Sequence, residues 1–153
     1  MKKFLRVLFN LYLIVVLFIL NITVKGSYGN PTSGDLNNKN WTENGPFPLS
    51  PERGRFALLY SFIEDKSFSF TTDLARFTIP DLGYINGKYV SLFAPAVTFI
   101  SIPGYLIGRL FNISQVGSFA TSAIFAFINF ILISKIVNSL INNKYFGYIC
   151  GLV

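Results

Sequence analysis

Three long stretches without a charged residue constrain this chain more than any other feature of its sequence. They run from Val7 to Val24, from Tyr89 to Gly108 and from Leu110 to Ser134. A helix needs about 20 mostly apolar residues to cross the hydrocarbon core of a bilayer, and each stretch is long enough or nearly so. Three buried helices of a soluble protein are the alternative, but they would leave too little polar chain to cover them. The sequence therefore predicts an all-α membrane protein, folded as a polytopic helical bundle.

The acidic residues are confined to one region between the first two stretches. All seven carboxylates lie between Asp35 and Asp81, and the region from Lys25 to Lys88 also holds seven of the thirteen basic residues. The net charge of +6 therefore comes from residues at the ends of the apolar stretches, namely Lys2, Lys3, Arg6, Arg109, Lys135 and Lys144. Lysine and arginine at such positions set the orientation of membrane helices, so the basic surplus predicts topology and not a nucleic-acid partner.

The positive charges before the first stretch predict a cytoplasmic N-terminus, with residues 1–24 as an uncleaved signal anchor. A cleaved signal peptide is the alternative, although "NITVKGSYG" lacks a clear small-x-small cleavage site. The predicted order is transmembrane helix 1 (1–24), a large extracytoplasmic loop (25–88), transmembrane helix 2 (89–109), transmembrane helix 3 (110–134) and the start of a truncated fourth transmembrane helix (145–153). Because that last apolar run is too short to cross a bilayer, we expect the sequence to be the front of a longer polypeptide.

Within the loop, the segment "SPERGRFALLYSFIED" gives the strongest helix prediction. Ser50 can cap it, Pro51 suits its first position, and Glu52 complements the positive end of its dipole. Apolar residues from Phe56 to Ile63 recur at the spacing of one helical face, which predicts an interfacial helix in the headgroup plane. Glu52 shares that face, so the helix would turn it toward the membrane. The alternative is that Glu52 is only a first-turn carboxylate.

Two further signals in the loop predict β-structure. The alternation in "SFSFTT", residues 67 to 72, predicts a short strand. In "YINGKY", residues 84 to 89, the Asn86-Gly87 pair can take the positive φ angles of a type I′ turn, which predicts a short β-hairpin. Pro103 lies deeper in the second apolar stretch and is expected to kink its helix.

The segment from Ser50 to Tyr105 resembles the N-terminal region of membrane-embedded GT-C glycosyltransferases, of the protein mannosyltransferase-like family 39 type. The resemblance rests on "RFALLYSFIEDKSF" at Arg55 to Phe68 and on "NGKYVSLFAPAVTFISIPGY" at Asn86 to Tyr105. It implies an integral protein of a prokaryotic cell membrane. The activity that it implies is transfer of a sugar from a polyprenyl-phosphate carrier to an acceptor at the outer membrane face.

The resemblance also implies roles for individual residues. Glu52 matches the family's catalytic carboxylate, which acts as acid/base or beside a metal, so the resemblance allows a divalent metal ion as cofactor. Asp35 is the alternative counterpart, because the family often has aspartate there. Arg53 and Arg55 would bind the carrier phosphate, since arginine forms forked phosphate contacts, and ordinary surface solvation is their other interpretation.

The expected partners follow from the apolar stretches and from the family resemblance. They are membrane lipid, a lipid-linked sugar donor and the remaining helices of a longer polypeptide, with no nucleic acid. One cysteine and no histidine exclude an internal disulfide and a Cys/His zinc site within this chain. The alternative function is a small, non-catalytic membrane interaction protein. A transporter is disfavoured because none of the three stretches contains an aspartate, glutamate, lysine, arginine or histidine that would mark an ion pathway.

Overall fold

The computed structural model describes residues 2–42, 50–141 and 144–151 of the chain. Its helices are α1 (Lys2–Ile22), a single 3-10 turn (Asp35–Asn37), α2 (Lys39–Thr42), α3 (Ser50–Ile63), α4 (Thr72–Thr78), α5 (Ala96–Leu110), α6 (Ser114–Ile141) and α7 (Lys144–Cys150). Its strands are β1 (Ser69–Phe70), β2 (Leu82–Ile85) and β3 (Lys88–Ser91). The chain divides into two compact units: Lys25–Thr121, called the central unit, and Met1–Val24 with Ser122–Val153, called the terminal unit.

The prediction of an all-α polytopic bundle is wrong. Among the described residues, one helix is long and apolar enough to cross a membrane: α6, with 28 residues and a mean hydropathy of 2.0 in its most apolar window. Two shorter apolar helical segments are Leu11–Ile22, which is part of α1, and Ala96–Leu110, which is α5. With 15 residues, α5 is about 22 Å long, less than the roughly 30 Å of a hydrocarbon core. A three-stranded antiparallel sheet accompanies the helices.

The second apolar stretch is short of a membrane helix because it is divided between a strand and a helix. Its first residues pair as β3 with β1 and β2, and the helix begins only at Ala96. A run of apolar residues does not by itself distinguish a buried strand from a helix. The pairing partners of β3, which lie up to 21 residues earlier in the chain (Ser69 opposite Val90), decided where the helix starts.

The helix predicted from Ser50 is present as α3, but the apolar face that was expected to contact lipid is packed in the protein core. The four consecutive residues from Phe56 to Leu59 are all buried, and so is Ser61. Successive residues on a helix point in directions about 100° apart, so this helix is enclosed on several sides. The core residues packed with it come from the 3-10 turn, β1, α4 and α5: Leu36, Phe70, Leu74, Phe77 and Tyr105. The apolar face that the sequence assigned to lipid therefore contacts protein.

The β-hairpin predicted at Asn86-Gly87 joins β2 to β3. Asn86 has a φ of 50° and Gly87 a φ of 78°, the positive values that a type I′ turn requires. The register places Tyr84 opposite Tyr89, and their ring centroids are 5.1 Å apart. The strand predicted in "SFSFTT" is shorter than expected: β1 pairs with β3 through Ser69 and Phe70. Thr71 then caps α4, a helix that the sequence did not predict.

Replacing Gly87 by alanine is expected to lower the free energy of unfolding of the central unit by about 1 kcal/mol, because an L-residue at this φ is strained. A steric clash does not contribute to this loss, since a Cβ at Gly87 would meet no atom within 4 Å. Gly87→Asn, which tolerates the left-handed region, is expected to lose less. Denaturant unfolding followed by fluorescence of Trp41, the chain's single tryptophan, measures both. Equal losses in the two variants would contradict the conformational explanation.

Three glycines bring α5 against the first turns of α6. Gly104 and Gly108 have the G-x-x-x-G spacing that lets helix backbones approach closely. Gly117 lies between them: a Cβ built on it would collide with the Gly104 carbonyl oxygen and with the Gly108 backbone. Thr121, one turn further along α6, is also buried, and its hydroxyl donates to the Gly117 carbonyl oxygen at 3.2 Å. A residue larger than glycine would therefore not fit at the centre of the contact between α5 and α6.

In the terminal unit, α1 and α7 are joined by a tyrosine. The hydroxyl of Tyr12 donates to the carbonyl oxygen of Tyr148 at 2.9 Å. The Tyr12 ring also packs on Phe130 of α6, with the ring centroids 5.8 Å apart. These contacts connect helices from the two ends of the chain into one unit.

Candidate functional site

The residues singled out from the sequence lie in the first turns of α3. Glu52 is partly buried in the first turn of this helix. Arg53 donates from Nη2 to the carbonyl oxygen of Ile79 at 3.3 Å. Arg55 is exposed, and its guanidinium carbon lies 5.6 Å from the centroid of the Phe93 ring, a cation–π geometry.

In this structure the two arginines have separate contacts. Residues two apart on a helix point in different directions, and each guanidinium has a different contact within the central unit. Arg53 reaches the segment after α4, and its Nε is buried without a hydrogen-bond partner among the described atoms. Arg55 reaches the segment before α5. Asp35, the alternative to Glu52, is held locally by Thr32, whose hydroxyl donates to it at 2.7 Å and lowers the pKa of its carboxyl.

A second polar constellation, which the sequence did not single out, joins α3 to α5. The Glu64 carboxylate accepts the Tyr105 hydroxyl at 2.9 Å and pairs with the Arg109 guanidinium at 2.6 Å, both through Oε1. Its side chain is 19% exposed, whereas that of Arg109 is 49% exposed. A charged acceptor shared by two donors at these distances is a strong hydrogen-bonding arrangement. The one sequence feature that could have indicated this constellation is the position of Glu64 in the "IED" at the end of the segment predicted as a helix.

Two titratable groups beside this constellation are shifted by their surroundings. Partial burial, together with the neighbouring Glu64 charge, raises the pKa of the Asp65 carboxyl. Partial burial also raises the pKa of the Tyr60 phenol, and the charges of Asp65 and Glu64 add to that shift. Both shifts arise from burial and from the charges gathered at the end of α3.

The segment from Ser27 to Asn30 covers the start of α6 beside Arg109. Asn30 donates from its amide to the Arg109 carbonyl oxygen at 2.9 Å, and its own oxygen accepts the Ser114 backbone N–H at 3.2 Å. The Gly29 N–H donates to the Asn112 carbonyl oxygen at 2.8 Å. The end of α5 is thereby held to the beginning of the central unit as well as to α3.

A cavity of about 200 Å³ opens between α4 and the sheet, lined by Thr72, Ala75, Arg76, Ile79, Leu82 and Tyr89. Small-molecule sites usually measure about 300–1,000 Å³, so this cavity is smaller than a typical ligand pocket. In the part of the chain that the structure describes, no three histidine, cysteine, aspartate or glutamate residues are grouped so that they could hold a metal ion.

Comparisons with known protein families, with characterised proteins and with solved structures find no match to this chain.

Proposed function

We propose that this chain is the amino-terminal part of a membrane glycosyltransferase of the GT-C type, moving a sugar from a polyprenyl-phosphate carrier to an acceptor. One observation supports the proposal: the two segments that carry the resemblance, residues 55–68 and 86–105, pack against each other in the central unit. The Thr98 hydroxyl donates to the Arg55 carbonyl oxygen at 3.3 Å, and the Phe62 and Phe99 ring centroids are 5.4 Å apart. The two motifs therefore belong to one folded unit.

In this proposal the central unit lies at the outer membrane face of a prokaryotic cell, and the N-terminus is cytoplasmic. The basic residues at positions 2, 3 and 6 support that orientation. The membrane-length helix α6 supports membrane association. In that orientation Glu52, like the other carboxylates between Asp35 and Asp81, would lie on the side where the acceptor is bound.

Glu52 is the residue that would take the acceptor's proton. A carboxylate performs this step when it lies within hydrogen-bond reach of the acceptor and is partly shielded from water, and Glu52 is partly buried at the start of α3. Arg53 and Arg55 would approach the carrier phosphate from the same helix end, each after leaving its present contact. Arginine suits that role because its planar guanidinium matches phosphate oxygens.

The experiment compares two carboxylate variants of the full-length gene product in membranes supplied with a radiolabelled polyprenyl-phosphate hexose. Glu52→Gln is expected to lower sugar transfer by about 10²- to 10⁴-fold, the usual contribution of a general base, with insertion into the membrane unchanged. Asp65→Asn is the matched control and is expected to retain transfer. Loss of transfer in Asp65→Asn alone would move the base to Asp65, and full transfer in both variants would remove this mechanism.

The same structure favours one alternative, a non-catalytic membrane interaction protein. The supporting observation is that Arg53 and Arg55 both have contacts within the central unit, on Ile79 and Phe93. A photoreactive polyprenyl-phosphate sugar separates the two functions, because only the glycosyltransferase is expected to crosslink to it. Crosslinking that disappears in an Arg53→Gln, Arg55→Gln double variant supports sugar transfer. Absence of crosslinking in the unaltered protein supports the interaction protein.

A further inference from the structure

The polarity of α5 is the reverse of that of a helix on the surface of a soluble protein. Its buried residues are polar or small and follow helical spacing: Thr98, Ser101, Tyr105 and Gly108. Its exposed residues include large apolar side chains, among them Val97, Ile100, Leu106, Ile107 and Leu110, which are between 43% and 84% exposed. An exposed apolar surface that extends along a whole helix marks a site of contact with another apolar phase.

Both ends of α5 are attached to the same folded unit. Near its start, Thr98 donates to the carbonyl of Arg55 at the beginning of α3. At its end, Arg109 pairs with Glu64 just after α3, and the carbonyl of Arg109 accepts a hydrogen bond from Asn30. A helix that crossed a bilayer would separate its two ends by the roughly 30 Å hydrocarbon core. α5 has only 15 residues, and Arg109 at its end contacts Glu64, whereas the predicted transmembrane helix 2 (89–109) would separate these two residues by the bilayer.

The position of α5 in the chain brings it to a bilayer. Only residues 111–113 separate it from α6, the helix of membrane length and composition. The first turns of α6 are also packed against α5 through Gly104, Gly108 and Gly117. The exposed surface continues past the helix end onto Phe111, which is 69% exposed. The exposed apolar side of α5 therefore lies close to the beginning of the helix of membrane length.

We propose that the exposed face of α5 is a lipid-contact surface that seats the central unit on the bilayer, with α5 lying along one leaflet and its side chains among the acyl chains. The occupant is lipid and not a second protein, because the face is joined to a membrane helix by a three-residue turn. Arg109 is the single charged residue in α5 and lies at its end, where a half-exposed guanidinium reaches headgroup phosphates. This inference is independent of sugar transfer.

Spin labels test it in vesicles of phosphatidylcholine and phosphatidylglycerol. The native thiol is first removed as Cys150→Ser, and single cysteines are then introduced as Ile107→Cys and Ile100→Cys on α5. Ile85→Cys in the hairpin is the matched control, because Ile85 and Ile107 are 60% and 58% exposed. Ile128→Cys near the middle of α6 gives the reference for depth. Collision rates with oxygen, which is enriched in lipid, and with a water-soluble nickel chelate are measured for each label.

The labels on α5 are expected to collide several-fold more with oxygen than with the chelate, the hairpin label to show the reverse, and the α6 label to be deeper than both α5 labels. A chelate collision rate at positions 100 and 107 equal to that at position 85 would overturn the proposal. Labels shielded from both reagents would also overturn it, because they would indicate a covering protein. An α5 label as deep as the α6 label would contradict the orientation along one leaflet.

Discussion

Replacing Glu64 by alanine is expected to lower the free energy of unfolding of the central unit by about 2–3 kcal/mol, because two polar groups lose their partner. The substitution removes the acceptor for the Tyr105 hydroxyl and the partner of Arg109. Tyr105 is 3% exposed, so its hydroxyl has little access to water in place of the lost carboxylate. Arg109 is half-exposed and can be hydrated, which keeps the loss below that of a fully buried ion pair.

Two further variants separate the causes of that loss. Glu64→Gln keeps an acceptor for Tyr105 but removes the charge, and it is expected to lose about 1 kcal/mol. Asp73→Asn breaks an exposed ion pair, between Asp73 and Arg76 at 4.0 Å, and it is expected to lose at most about 0.5 kcal/mol because both side chains are exposed. Trp41 fluorescence during denaturant unfolding in detergent micelles measures all three. A Glu64→Ala loss no larger than that of Asp73→Asn would refute the buried constellation.

Replacing Gly117 by alanine is expected to lower the free energy of unfolding by about 2–3 kcal/mol, because the added methyl group overpacks the contact between α5 and α6. The atoms that it would meet belong to the backbone of Gly104 and Gly108, so no side-chain rotation relieves the collision. Alanine is the better helix former by about 1 kcal/mol, so the measured loss underestimates the strain. The helices must move apart or tilt.

The matched control is the same substitution at Gly34. This residue has a φ of −70° and a ψ of −41°, and a Cβ there would meet only the Thr32 hydroxyl at 4.0 Å. Gly34→Ala is therefore expected to be neutral or to stabilise by about 0.5 kcal/mol through the lower entropy of the unfolded chain. The same unfolding measurement compares the pair. If both variants were equally stable, the close approach of α5 and α6 would not hold in solution.

Local signals predicted parts of the fold that depend on a few neighbouring residues. The start of α3 at Ser50 and the turn at Asn86-Gly87 both follow from backbone preferences within four or five residues. The apolar stretch after Leu110 likewise predicted the membrane-length helix, although α6 begins at Ser114 and continues through Lys135 to Ile141. These are properties that a short window of sequence contains.

The errors have a common origin in contacts between distant residues. The helix of the second stretch was predicted too long because β3 pairs with β1, which lies about 20 residues away. The lipid-facing side of α3 was assigned from spacing alone, and Leu36 and Phe77 cover it instead. Glu64 lies at the end of the segment predicted as a helix, and nothing in its local sequence indicates Tyr105 or Arg109, more than 40 residues later.

The sequence alone determined which segments avoid water, because a run of apolar side chains has an unfavourable transfer free energy whatever surrounds it. It also confined the carboxylates to one region of the chain. Only the tertiary structure decided what each apolar segment contacts: protein around α3, a strand partner for β3, and an open face on α5. The physical reason is that hydrophobic burial has no direction, so the choice among apolar partners depends on hydrogen-bond pairing and packing between residues far apart in the chain.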